Sequence, residues 1–244
     1  MRVLSLTHGP SVPGGVFEEV VEAAGHRLER WDVPARDAPG RAAAYDAVLA
    51  FGGSMHPDEH DRHDWLATEE AFLREVLTEG VPVVGVCLGA QLLARATGAT
   101  VARASAPEIG WHEVELMSAG RADPVLGVLP PRFDAFQWHH YAFGVPPHGT
   151  ELARSDVCTQ AFRLGQAWGL QFHAEVTRAM IHEWAAEGPG DVPLPAADFL
   201  ADADRRIESW NELGRGLCSA FLDEATRGRD QPATSSTTSF AAEA

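Results

Sequence analysis

Basic residues are scarce in this 244-residue chain: 19 Lys plus Arg stand against 35 Asp plus Glu, for a net charge of -16. Such a surface repels a phosphate backbone or an anionic bilayer at long range, so neither nucleic acid nor membrane is an expected partner. Long hydrophobic runs are also missing. No stretch reaches the length that spans a bilayer, and no basic start leads into an apolar segment with a small-residue cleavage site, so a cytoplasmic location is expected. Cysteine is sparse: Cys87, Cys158 and Cys218 form an odd set with no C-x-x-C pair. That pattern argues against a disulfide framework and a cysteine zinc site, and it leaves at least one thiol free. A free cysteine is ordinarily packing material, so only its surroundings can mark a nucleophile. Internal repeats and an ATP-binding P-loop are absent as well.

What remains is enough for one α/β core, with 45% of residues hydrophobic. Residues 2–6 read as a short buried strand, 16–24 as an amphipathic helix bounded by glycines, and 28–31 as a second strand. A clearer apolar strand covers 46–51 and stops at Gly52-Gly53; helical spacing follows over 65–77 until Gly80 and Pro82 break it. Residues 81–86 are a continuous apolar run with β-branched side chains, as a central parallel strand covered on both faces requires. A helix over 91–96 ends near Gly98. This alternation predicts an open, doubly wound, mostly parallel sheet with helices on both faces, whose ligands bind at the carboxyl ends of the strands. From 101 to 172 the pattern turns strand-rich (111–116, 133–138, 151–155, 159–164), which predicts antiparallel strands in the second half. Helices are expected over 176–186 and 202–221. The domain is placed at residues 1–225, and 226–244, rich in Ser, Thr and Ala, read as a disordered tail.

Gly85-Val86-Cys87-Leu88-Gly89 puts a cysteine between glycines where a buried strand meets a helix, the arrangement of a nucleophile elbow. A sharp turn needs a tolerant backbone, and the positive end of the helix dipole favours a negatively charged sulfur. His173-Ala174-Glu175 follows another strand-like segment and offers an imidazole with a carboxylate two residues on. In triad logic Glu175 orients the ring so that its other nitrogen faces the thiol and later protonates the leaving group. Gly53, after the preceding strand, and Leu88, just beyond the cysteine, offer backbone N–H groups to an oxyanion.

Phe51-Gly52-Gly53, Val84 through Gln91 and Gly169 through Glu175 together resemble the three signatures of class I glutamine amidotransferases. Glu108-Ile109-Gly110-Trp111 and Gln137-Trp138-His139 resemble the stand-alone branch related to the glutaminase domain of GMP synthetase. The resemblance implies a flavodoxin-like sheet, Cys87 as nucleophile, His173 as base and acid, Glu175 as orienter, and Gly53 and Leu88 as oxyanion donors. It also implies substrate contacts from Gly52, Gln91, His139 and Tyr141, with no cofactor and no metal. The implied substrate is glutamine or a γ-glutamyl compound, and a separate synthase subunit is the implied acceptor of ammonia. Two positions depart from the family pattern. Ala174 stands where many relatives carry proline, and Tyr141 where many carry the aspartate that recognises the substrate's α-amino group.

Three functions therefore compete: glutamine amidotransfer or glutaminase chemistry, a γ-glutamyl peptidase using the same thioester, and a non-catalytic module that kept the fold. Other signals read as structural. His56, His60 and His63 lie among Asp58, Glu59, Asp61 and Asp64 in what reads as a polar loop rather than a metal site. His139-His140 reads as a wall on the substrate side, Cys158 and Cys218 as packing, and Asp202, Asp204, Glu208 and Glu212 as a solvated helix face.

Overall fold

A computed structural model describes residues 1–193 and 195–230. Its strands are β1 (Arg2–Thr7), β2 (Arg27–Asp32), β3 (Ala47–Ala50), β4 (Val83–Val86), β5 (Val101–Leu116), β6 (Arg132–Phe143), β7 (Thr150–Arg154), β8 (Thr159–Leu164) and β9 (Ala167–Leu170). Among the described residues these nine make one sheet in the order β2-β1-β3-β4-β9-β8-β7-β5-β6. The pairs from β2 to β9 are parallel, and those from β9 to β6 are antiparallel. This is the expected flavodoxin-like fold. The helices are α1 (Gly15–Ala23), α2 (Trp65–Thr78), α3 (Leu88–Ala96), the single turn α4 (Ser118–Arg121), α5 (Arg178–Glu187) and α6 (Ala196–Asp230).

Period-2 alternation sends successive strand side chains to opposite faces, and both faces are covered. Val3 and Leu49 join Phe17 of α1 and Trp210 and Phe221 of α6 in one core. Leu4, Leu6 and Val48 join Leu73 of α2 and Leu92 and Leu93 of α3 in the other. Burying each such side chain is worth about 1.5–3 kcal/mol, so the two layers fix where β3, β4 and β9 end, and the site lies at those ends.

Three elements extend furthest beyond their sequence readings. β5 and β6 are longer than 111–116 and 133–138, because the pairing survives a register shift between Arg103 and Glu108. Pro107, which cannot donate to a ladder, lies in that irregularity. α6 spans Ala196–Asp230 rather than 202–221. Its last turns include 226–230, expected as the start of a tail, and Thr226 donates its hydroxyl to the Leu222 carbonyl at 2.9 Å. Residues 231–244 of that expected tail lie outside the described residues. Among the described residues no helix is long and apolar enough to cross a membrane.

Candidate active site

Cys87 stands between β4 and α3 with φ 50° and ψ -110°. A side chain in this region strains the backbone at a cost of about 1–3 kcal/mol, so the surroundings must enforce it. They do so by close packing. The first turn of α3 rests almost on the sheet: a Cβ at Gly85 would lie 2.8 Å from the Ala90 backbone, and one at Gly89 2.2 Å from the Ala50 carbonyl oxygen. Cys87 N–H donates to Leu170 O at 2.8 Å, and Gly89 N–H to Phe51 O at 3.0 Å. The cysteine is thus pinned to β9 on one side and α3 to the end of β3 on the other. Its side chain is buried, and as a thiol it can donate to the Trp138 carbonyl at 3.8 Å.

His173 lies just beyond β9. Its N–H donates to Phe136 O at 2.9 Å, its carbonyl accepts the Trp210 indole N–H at 2.8 Å, and its ring packs edge-on against Trp184 at 4.9 Å. Nδ1 is 2.8 Å from Glu175 Oε1. Burial opposes charge on this ring, but the charges of Glu175 and Cys87, with hydrogen bonds to both, outweigh it and push its pKa up to about 10. Glu175 is 1% exposed, and its Oε2 has no hydrogen-bond partner, so His173 is the hydrogen-bonding counterpart of that buried carboxylate. The three side chains expected from distant parts of the sequence are therefore adjacent.

A cavity of about 450 Å³ opens over them, lined by Gly53, Leu88, Gln91, His139 and Tyr141 among others. That volume suits a small ligand. Leu88 occupies the first helical position, where an N–H has no intrahelical acceptor. Gly53 N–H donates to no protein group among the described residues. Gly52 does not line the cavity; it lies flush behind it, where a Cβ would approach His173 Cε1 to 3.0 Å. Gln91 sits at the back of the cavity, and its amide donates to the Tyr141 carbonyl at 3.0 Å and to Gln171 at 3.2 Å. Tyr141 donates its hydroxyl to Asp58 at 3.0 Å, stacks on His56 and lies under Arg103.

His8 and Glu69 carried no sequence signal, and Glu108 was marked only as part of a motif. His8 is buried, with Nδ1 2.7 Å from Gly52 O and Nε2 2.6 Å from Glu69 Oε2. Burial works against a charge on His8, but Glu69, reinforced by the Gly52 carbonyl, raises its pKa above the ordinary imidazole value. Glu108 is a further buried carboxylate: its Oε2 lies 3.2 Å from His139 Nε2 and accepts from Gln160 at 2.8 Å and from Cys158 at 3.5 Å.

Glu108, His139 and Cys158 are the metal-capable cluster found among the described residues, with donor atoms all within 4.8 Å. One carboxylate oxygen, Glu108 Oε2, accepts from Gln160 and Cys158, while both His139 ring nitrogens are buried without a hydrogen-bond partner. Cys158 is therefore part of a hydrogen-bonded hub rather than simple packing. Burial and then Glu108 push its thiol up to about 12, and burial also raises the Cys218 thiol. The three loop histidines do not converge: His56 stacks on Tyr141, His60 pairs with Glu70 at 3.5 Å, and His63 leans on Trp65.

Comparison with known proteins agrees with this geometry. Residues 17–182 match the family described as "Glutamine amidotransferase class-I". A glutamine amidotransferase-like protein of Salmonella typhimurium, YfeJ, is 30% identical over 95% of this chain and 100% of its own length. The glutamine-hydrolyzing GMP synthase of Aeropyrum pernix is 34% identical over 85% of this chain, which spans 38% of that larger enzyme. Among solved structures, a glutamine amidotransferase of Thermotoga maritima superposes with a TM-score of 0.83 at 28% identity, covering 91% of this chain and 98% of that one. The chain belongs to the class I glutamine amidotransferase family.

Proposed function

We propose that the chain hydrolyses the γ-amide of glutamine or of a γ-glutamyl compound through a thioester on Cys87. The observation that carries the reading is a cysteine at φ 50° facing a buried imidazole whose far nitrogen is 2.8 Å from a carboxylate. Cys87 sulfur attacks the γ-carbonyl, and the oxyanion accepts hydrogen bonds from Gly53 and Leu88 N–H. The carbon–nitrogen bond breaks as His173 gives its proton to the departing nitrogen, releasing ammonia or an amine. Water then adds to the thioester, passing a proton to His173; the carbon–sulfur bond breaks, and glutamate leaves with the thiolate restored. Glu175 holds the ring in the tautomer both steps use.

Two partners follow in this reading. The small-molecule substrate occupies the cavity, and if ammonia is the useful product, a separate synthase subunit receives it. The Aeropyrum relative supports the second partner, since this chain matches only part of that synthase. A γ-glutamyl peptidase is the second reading. Asp58, Tyr141, His56 and Arg103 support it, because together they build a polar rim where many relatives place one aspartate.

The test is to incubate the purified chain with glutamine, γ-glutamyl amides and γ-glutamyl dipeptides, then measure ammonia, free amine and glutamate. Ammonia from glutamine supports the first reading, and amine from dipeptides alone the second. Glutamate release that survives Cys87→Ala would end both.

A further inference from the structure

His8 and Glu69 take no part in the bond-breaking steps above, yet they form a buried pair against the oxyanion glycines, with His8 also at the cavity wall. Gly52 carbonyl oxygen and Gly53 N–H belong to one peptide unit. In a trans peptide these two groups point in opposite directions. His8 Nδ1, 2.7 Å from Gly52 O, holds the carbonyl on one side of the backbone, and the N–H must then face the other. Gly53 lines the cavity, and its N–H meets no protein acceptor among the described residues. A glycine-glycine peptide has no side chain of its own to resist rotation, so an external anchor is needed.

His8 is suited to the task. An oxygen acceptor at Nδ1 and a carboxylate at Nε2, 2.6 Å away, call for a ring that donates from both nitrogens. The ring also stacks on Trp65 at 5.2 Å, and its Cβ lies 3.1 Å from where a Gly53 Cβ would be. Glu69 rises from α2, so the anchor is fastened to a helix rather than to the loop it steadies. The pair has side chains with no exposed surface, and a donor polarised by a buried carboxylate strengthens the hydrogen bonds in line with it.

We propose that His8 is a positioning residue for the oxyanion site: held by Glu69, it fixes the Gly52–Gly53 peptide so that Gly53 N–H faces the cavity. The proposal rests on the thioester reading for its catalytic meaning, while the peptide geometry can be tested without it.

Two substitutions separate this role from a structural one. An asparagine amide nitrogen occupies the position of His Nδ1, so His8→Asn keeps a donor to Gly52 O and gives up Glu69. A glutamine amide reaches the position of Nε2, so His8→Gln keeps Glu69 and gives up Gly52 O. Cys87 is then titrated with a glutamine-derived chloroketone, whose carbonyl must enter the oxyanion site, and with methyl methanethiosulfonate, which has no carbonyl. His8→Gln is expected to slow the chloroketone about 10- to 100-fold, less than the full loss of an oxyanion donor. His8→Asn is expected to stay close to wild type, with methanethiosulfonate labelling unchanged in both. Equal rates for the two variants, or Gln faster than Asn, overturn the proposal. A chloroketone that ignores Cys87 in the wild-type chain would instead sink the thioester reading. The anchor is then read from the Gly53 amide resonance and its hydrogen exchange: displaced in His8→Gln and retained in His8→Asn supports it, and no difference overturns it.

Discussion

Replacing Glu175 by glutamine keeps the size of the side chain and one hydrogen-bonding oxygen but removes the charge that faces His173. An ordinary imidazole titrates near 6.5, and this one is raised to about 10, a preference for the charged ring of roughly 5 kcal/mol. Because burial pulls the other way, the anionic neighbours supply more than that net figure, and Glu175 is the larger of the two. Two unit charges about 4 Å apart interact by roughly 4 kcal/mol at an effective dielectric of 20. Losing that term lowers the His173 titration by about three pH units, from about 10 toward about 7. The alkaline limb of kcat/KM, where the proton meant for the leaving group is lost, should move down with it. Stability provides a second readout. A ring protonated more readily when folded contributes stability that is complete below about 6.5 and lost as pH rises through about 10. The wild-type melting temperature should therefore fall across that window, and that of Glu175→Gln should fall much less. An alkaline limb that stays within about half a pH unit of wild type would refute the assignment of the His173 charge to Glu175.

Cys87→Ala should abolish both turnover and modification by a glutamine-mimicking electrophile; labelling that moves to Cys158 in the wild-type chain would identify the wrong thiol here. His173→Ala should cost more in kcat than Glu175→Ala, since Trp184 and the Phe136 and Trp210 hydrogen bonds keep the ring partly oriented; equal losses contradict that ranking. Gly89→Ala places a methyl group 2.2 Å from Ala50 O, which should destabilise the fold by about 1–3 kcal/mol and slow Cys87 labelling as α3 is pushed from the sheet. A wild-type melting temperature and labelling rate for that variant would show that the elbow does not depend on close packing.

The parts of this site that could be read in the sequence are those whose causes are local. Cys87 announces itself because the glycines that permit its backbone lie two residues to either side, and the apolar run of β4 immediately precedes them. His173 and Glu175 lie two residues apart at a strand end, so one segment carries both. Gly52-Gly53 follows the end of β3 in the same way, and Leu88 comes directly after Cys87. His8 has no such signature: its partners are 44 and 61 residues away, and a lone histidine before Gly9-Pro10 reads as loop. Only the parallel pairing of β1 with β3 brings His8 beside Gly52. The Glu108 hub was hidden for a related reason, since Pro107 and Gly110 suggest that the strand ends where it actually continues through a register shift. Asp58 at Tyr141 is legible in neither segment alone; the contact exists because the loop after β3 folds against β6.

Three buried imidazoles surround Cys87, each facing a glutamate: His8 with Glu69, His139 with Glu108 and His173 with Glu175. Burying such pairs is seldom worthwhile for stability alone, since desolvation offsets most of the attraction. Their protonation differs in a way that suits the chemistry. His8 and His173 are raised, whereas burial lowers His139, with the charge on His173 adding to the effect while Glu108 opposes it. The glutamates differ in the same sense. Glu69 Oε1 and Glu175 Oε2 have no hydrogen-bond partner, so each carboxylate relies on its own histidine. The Glu108 oxygen that faces His139 is shared with Gln160 and Cys158. The resulting pattern favours a proton on the rings beside the sulfur and behind the Gly52–Gly53 peptide and disfavours one on the ring between the hub and the cavity.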